Sequence, residues 1–107
     1  MNNRPNNDIK ARIRQLLKGV IDPELMVNII DLGLVYDIRI SKDTPAIAID
    51  MTLSSPGCPL GDVIMEDVRL IIARNFPDYE VKVNLTWDPP WTADRITPAG
   101  REALNNR

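Results

Sequence analysis

Two stretches of strict alternation, joined by a loop only long enough for a hairpin, constrain this chain most. Leu34, Tyr36, Ile38 and Ile40 alternate with Val35, Asp37 and Arg39, and Ile47, Ile49, Met51 and Leu53 alternate with Ala46, Ala48, Asp50 and Thr52. A period of two marks a strand with one buried face. Ser41-Lys42-Asp43-Thr44-Pro45 between them is of hairpin length, so the second strand runs antiparallel to the first. That strand empties into Ser54-Ser55-Pro56-Gly57-Cys58-Pro59-Leu60-Gly61, beyond which the apolar spacing turns helical.

The rest of the chain fits around this hairpin. Residues 1–7, rich in asparagine, read as a short disordered tail, and 8–107 as a single domain. Ile9, Ile13, Leu16, Leu17 and Val20 recur at helical spacing and predict a helix over about 8–19. Leu60, Ile64, Val68, Ile71 and Ile72 predict a second helix from about Pro59 to Asn75, stopped by Phe76-Pro77. Val81, Val83, Leu85 and Trp87 alternate with Lys82, Asn84 and Thr86 as a third strand with Trp87 in the core, and Asp88-Pro89-Pro90-Trp91 ends it. Thr97-Pro98 is a capping pair for a short last helix over about 98–105. The order α-β-β-α-β with a short C-terminal helix predicts an α+β two-layer sandwich, a three-stranded sheet with helices on one face.

The loop after the second strand is the best candidate for chemistry. Pro56 and Pro59 fix their own φ and push Ser55 and Cys58 toward extended backbone, while Gly57 admits a positive φ or a close approach. Cys58 is thereby expected near the cap position of the second helix with Pro59 at its first turn, where free amides and the helix dipole favour thiolate over thiol. The bland alternative is a small buried hydrophobe. Ser54 and Ser55 either cap the turn or supply hydroxyls to the same site.

Other residues narrow the chemistry. There is no histidine, so Cys–His and Ser–His nucleophile pairs cannot be built. One cysteine excludes an internal disulfide, agrees with a reducing cytoplasm, and cannot complete a zinc or iron–sulfur cage within one chain. The formal net charge is −2 with no basic block, which argues against a nucleic-acid or anionic membrane partner. No apolar run approaches a membrane span, and the first residues show no signal-peptide hydrophobic region. Asp22-Pro23-Glu24 and Asp31-Leu32-Gly33 read either as solvated turns or as carboxylates, Glu24 and Asp31 foremost, turned toward the Cys58 loop.

Asp22-Pro23-Glu24, Asp31-Leu32-Gly33-Leu34-Val35, Met51-Thr52-Leu53-Ser54-Ser55-Pro56-Gly57-Cys58-Pro59 and Trp87-Asp88-Pro89-Pro90-Trp91 occur in an order and spacing that resemble the SufT/PaaD-like iron–sulfur assembly factors, over roughly residues 8–105. The resemblance implies a small α+β domain that helps mature iron–sulfur clusters in client proteins. It implies Cys58 as the functional thiol or transient, shared metal ligand, with Thr52, Ser54, Ser55 and Gly57 as its supporting loop. Asp22, Glu24 and Asp31 fall on the acidic motif. The family often carries threonine where this chain has Ser54 or Ser55, which keeps the hydroxyl. PaaD-like members add a cysteine-rich tail that this sequence, running to Arg107, does not show. The expectation is therefore a transient cluster or iron rather than a stably bound cofactor.

The implied partners are the iron–sulfur assembly machinery and client apo-proteins, with a homodimer as a further assembly. Trp91 and Asp88 are candidate partner contacts, Trp91 alternatively folding back as a lid. A metal-independent adaptor, docking through the Pro-Gly loop and Trp91, is the competing reading. A thiol enzyme using Cys58 with Glu24 as base ranks below both, because no oxyanion or substrate signature accompanies it.

Overall fold

The computed structural model describes residues 5–56 and 60–106, with side chains from Asp8 onward. Helix α1 spans Pro5–Leu17 and starts earlier and stops sooner than its apolar stripe predicts. Ile13 and Leu17 are its fully buried residues, and Lys18 and Gly19 close its last turn as acceptor-seeking amides on Arg14 and Leu16. Two short strands follow, β1 Ile21–Asp22 and β2 Val27–Asn28, paired antiparallel in a miniature sheet that alternation could not reveal in two-residue pieces.

The hairpin is as expected. β3 (Val35–Ser41) and β4 (Ala46–Met51) pair antiparallel with Ile38 opposite Ile49, and a bulge falls between Val35 and Asp37. Helix α2 (Gly61–Asn75) then carries the chain back so that β5 (Glu80–Leu85) lies parallel to β4. The main sheet has the order β3-β4-β5, so β4-α2-β5 is a crossover unit with two parallel strands. A single 3-10 turn, Ala93–Arg95, and helix α3, Pro98–Asn105, finish the chain. Thr97 caps α3 as predicted, its hydroxyl accepting from Gly100 N–H at 3.0 Å.

The buried faces of β3 and β4 (Ile38, Ile47, Ile49, Met51) meet Ile13 and Leu17 of α1 and Ile64, Val68 and Ile72 of α2 in one core. The α+β assignment holds, with the miniature sheet as an addition. Among the described residues, no helix is long and apolar enough to cross a membrane.

Candidate functional site

The small sheet is tied into the large one by a row of backbone hydrogen bonds. Ile29 N–H donates to Val20 O, Leu34 N–H to Ile29 O, Thr52 N–H to Leu34 O and Thr86 N–H to Met51 O, all within 2.8–3.0 Å. This row holds Thr52 at the point where β4 leaves the sheet. From there Leu53, Ser54, Ser55 and Pro56 run toward α2, and Leu53 packs so closely on α2 that a Cβ on Gly61 would sit 2.5 Å from its Cδ1. The loop is thus clamped at its start by the ladder and by Leu53 against the helix.

α2 begins at Gly61 with Leu60 at its cap position, two residues later than the expected cap at Cys58, and Leu60 has no side chain that can cap. Leu60 is also 38% exposed, so it leaves the predicted core stripe. Gly57, Cys58 and Pro59 lie outside the described residues.

An apolar groove of about 280 Å³ borders this loop, lined by Leu53, Ser54, Pro56, Trp87, Pro90 and Trp91. Larger hollows lie elsewhere, one of about 370 Å³ beside Tyr36 and Arg95 and one of about 450 Å³ between α2 and the Gly19–Ile21 segment that follows α1. Neither of these is lined by residues of the Thr52–Pro56 segment.

The far wall of the groove corrects the sequence reading. Trp87 does not enter the core: it is 44% exposed, because β5 stops at Leu85. Thr86 ends the strand, its hydroxyl accepting from Asp88 N–H and donating to Asp88 O, both at 3.2 Å. The Asp88–Pro89 peptide bond is cis. Tyr36 OH donates to Pro89 O at 2.7 Å, and the Arg95 guanidinium lies over the Tyr36 ring at 4.6 Å. Trp91 folds back, half-buried, and its indole N–H donates to Leu32 O at 2.7 Å. Asp88 is exposed at the turn.

The acidic residues divide by role. Asp22 is 1% exposed, and its Oδ1 accepts from Glu24 N–H at 2.8 Å and Leu25 N–H at 3.2 Å, an Asx-type turn that closes the Asp22-Pro23-Glu24 corner. Asp31 is engaged structurally: its Oδ2 accepts from Asn28 Nδ2 at 2.9 Å and its Oδ1 from Thr97 Oγ1 at 3.1 Å, which ties β2 to the start of α3. Glu24 is exposed, with no hydrogen bond or ion pair for its carboxylate among the described residues. The inward turn of Glu24 and Asp31 toward the loop is therefore not what these contacts show.

Thr52 is fully buried; Ser54 is half-buried in the groove wall and Ser55 is exposed. Among the described residues, Asp22 Oδ2 and Thr52 Oγ1 are the buried side-chain oxygens without a hydrogen-bond partner. Also among the described residues, no three acidic or sulfur side chains converge as a ligand set. Sequence reasoning missed Tyr36 and Pro90 as parts of this region. The signal for Trp87 was present in Thr86 and Asp88, whose side chains favour a turn over a continued strand.

Comparison with known proteins agrees with this architecture. The model of a family described as iron–sulfur cluster assembly protein matches residues 10–89. The Fe-S protein maturation auxiliary factor YitW of Bacillus subtilis (strain 168) is 40% identical over 96 residues, 90% of this chain and 93% of that one. The Fe-S protein maturation auxiliary factor SufT of Staphylococcus aureus (strain USA300) is 41% identical over 85 residues, 79% of this chain and 96% of that one. The crystal structure of a domain of unknown function from Bacillus anthracis superposes with a TM-score of 0.87 at 37% identity, over 94% of this chain and 95% of that one.

Proposed function

This chain belongs to the iron–sulfur cluster assembly protein family, and on that premise we propose that it is a non-enzymatic accessory factor in the assembly of clusters or their transfer to client proteins. The observation that carries the reading is the family match across residues 10–89, which spans the Asp22 corner, the Thr52–Pro56 segment and Cys58. Cys58 supplies the thiol. A thiolate is a soft ligand suited to iron, and one thiolate alone is readily completed by a partner's ligands and readily surrendered. The cluster or iron is cargo in this reading, not a resident cofactor. A lone thiol also suits a reducing compartment such as the cytoplasm.

The apolar groove that reaches Pro56, two residues before Cys58 in sequence, supports docking of the assembly machinery or a client next to that thiol. Exposed Trp87 is the aromatic anchor in its wall. The same exposure favours a second reading, a metal-independent adaptor that uses the groove alone.

A gene deletion complemented with wild type, Cys58→Ala or Trp87→Ala separates the two. Activities of iron–sulfur enzymes are measured beside a cluster-free control enzyme, with expression and melting temperatures matched. The proposal expects loss confined to the iron–sulfur enzymes with Cys58→Ala. Full rescue by Cys58→Ala together with failure of Trp87→Ala would establish the adaptor instead.

A further inference from the structure

The main sheet has two edges, and they differ. The β3 edge is broken by the bulge between Val35 and Asp37, a device that discourages further pairing. β5 pairs with β4 in unbroken register from Glu80 to Leu85. Glu80 N–H donates to Pro45 O at 2.9 Å and Thr86 N–H to Met51 O at 2.8 Å. In a parallel ladder alternate residues bond to one neighbour, so the even-numbered residues of β5 face β4. The N–H and C=O groups of Val81, Val83 and Leu85 therefore point off the free edge. Their side chains lie on the helix-covered face, opposite Ile47, Ile49 and Met51, yet Leu85 is 41% exposed.

We propose that β5 pairs antiparallel with β5 of a second copy of this chain, Val83 opposite Val83, so that the two three-stranded sheets become one continuous sheet. Outward-bonding residues must meet outward-bonding residues, which restricts the register. Centring the pair on Lys82 sets Lys82 against its own copy, a like-charge contact. Centring it on Val81 sets Leu85 against Pro77, which has no N–H to give. Registers centred beyond Val83 run Val81 past the end of the opposite strand. With Val83 at the centre, Leu85 meets Val81 at both ends, and Lys82 faces neutral Asn84.

The helix layer agrees by charge. Asp67, Ile71 and Arg74 of α2 line a hollow with Gly19, Val20 and Ile21 at the start of β1, so the helical period turns Met65 and Arg69 toward the opposite, β5 flank. Arg69 pairs there with Glu66 at 2.7 Å. A two-fold axis normal to the sheet brings this flank against itself, setting each copy's Arg69 toward the other's Glu66.

Sedimentation of the full chain over a dilution series, with amide exchange followed by NMR, tests the proposal. The expected result is a species of twice the 12.1 kDa chain mass, with the Val81, Val83 and Leu85 amides protected when concentrated and exposed on dilution. Val83→Pro removes an outward N–H, which an edge strand tolerates, along with part of a half-buried side chain, and is expected to yield the single-chain mass with unchanged circular dichroism. Leu85→Lys, at an exposed position, is the second variant and decides the matter if Val83→Pro fails to fold. The proposal is overturned if wild type stays at the single-chain mass throughout, if the dimer leaves those amides unprotected, or if Leu85→Lys dimerises as wild type does.

Discussion

Replacing Met26 by glycine should make this protein more stable, although it deletes a large apolar side chain. Met26 closes the corner after Asp22-Pro23-Glu24, its N–H donating to Asp22 O at 2.7 Å, and it does so with φ at 60°. A left-handed backbone costs an L-residue roughly 1–2 kcal/mol, because Cβ crowds the following carbonyl. The side chain recovers little of this by packing, since Met26 is 65% exposed. Glycine removes the strain but gives back roughly 0.5–1 kcal/mol in the greater freedom of the unfolded chain. The net expectation for Met26→Gly is a gain of about 0.5–1 kcal/mol, or a few degrees in Tm for a domain of this size. Urea unfolding checks it, with the denaturant slope unchanged so that the midpoint shift reads as stability. Met26→Ala is the control: it keeps the left-handed backbone and deletes the exposed side chain, and should stay within about 0.5 kcal/mol of wild type. If Met26→Gly is no more stable than wild type while Met26→Ala loses more than 1 kcal/mol, the side chain holds this corner and the strain argument is wrong.

Two further expectations follow from the contacts around the groove and the sheet. Trp91→Phe keeps the aromatic ring but strands the Leu32 carbonyl that the indole N–H reaches at 2.7 Å; it should cost about 1–2 kcal/mol in thermal or urea unfolding, and a cost near zero would show that bond to be absent in solution. Arg39 donates to both carboxylate oxygens of Asp50, and this hydrogen bonding, assisted by Asn84, holds Asp50 below its ordinary carboxylate pKa. A depressed folded pKa gives stability that is complete above the unfolded value and is lost as pH falls through the folded one. Wild type should therefore lose stability below about pH 4 more steeply than Asp50→Asn, and parallel stability–pH curves for the two would refute this.

Much of the fold was legible because the long elements repeat a period. Ile38, Ile47, Ile49 and Met51 on the strands and Ile13, Leu17, Ile64, Val68 and Ile72 on the helices are buried where alternation and helical spacing put them. Legibility failed where an element was shorter than one period or ended for a local reason. The two-residue strands β1 and β2 carry no alternation: they pair with each other, and the row from Val20 through Ile29 and Leu34 to Thr52 ties them to the main sheet, a tertiary arrangement. Trp87 continues the parity of Val81, Val83 and Leu85, but the Thr86–Asp88 turn stops the strand first. Leu60 fits the helical stripe by number and lies before the helix begins.

The candidate site was legible in its parts more than in its arrangement. The Thr52–Pro56 segment and Trp91 were visible as unusual sequence, and they do share a groove. The acidic residues were visible too, but composition could not say that Asp22 would be consumed by its own turn or that Asp31 would tie β2 to α3. Such assignments depend on which amides and hydroxyls arrive nearby from elsewhere in the chain.

The groove has one wall from the end of β4 and the other from the segment after β5, with the whole of α2 between them in sequence. Neither wall exists as a surface until the crossover has closed and β5 has docked. A partner that recognises Leu53, Pro56, Trp87 and Trp91 together is thereby blind to nascent, truncated or partly unfolded copies. On the proposed reading, the groove would be its own certificate of completed folding, engaged only on a finished molecule.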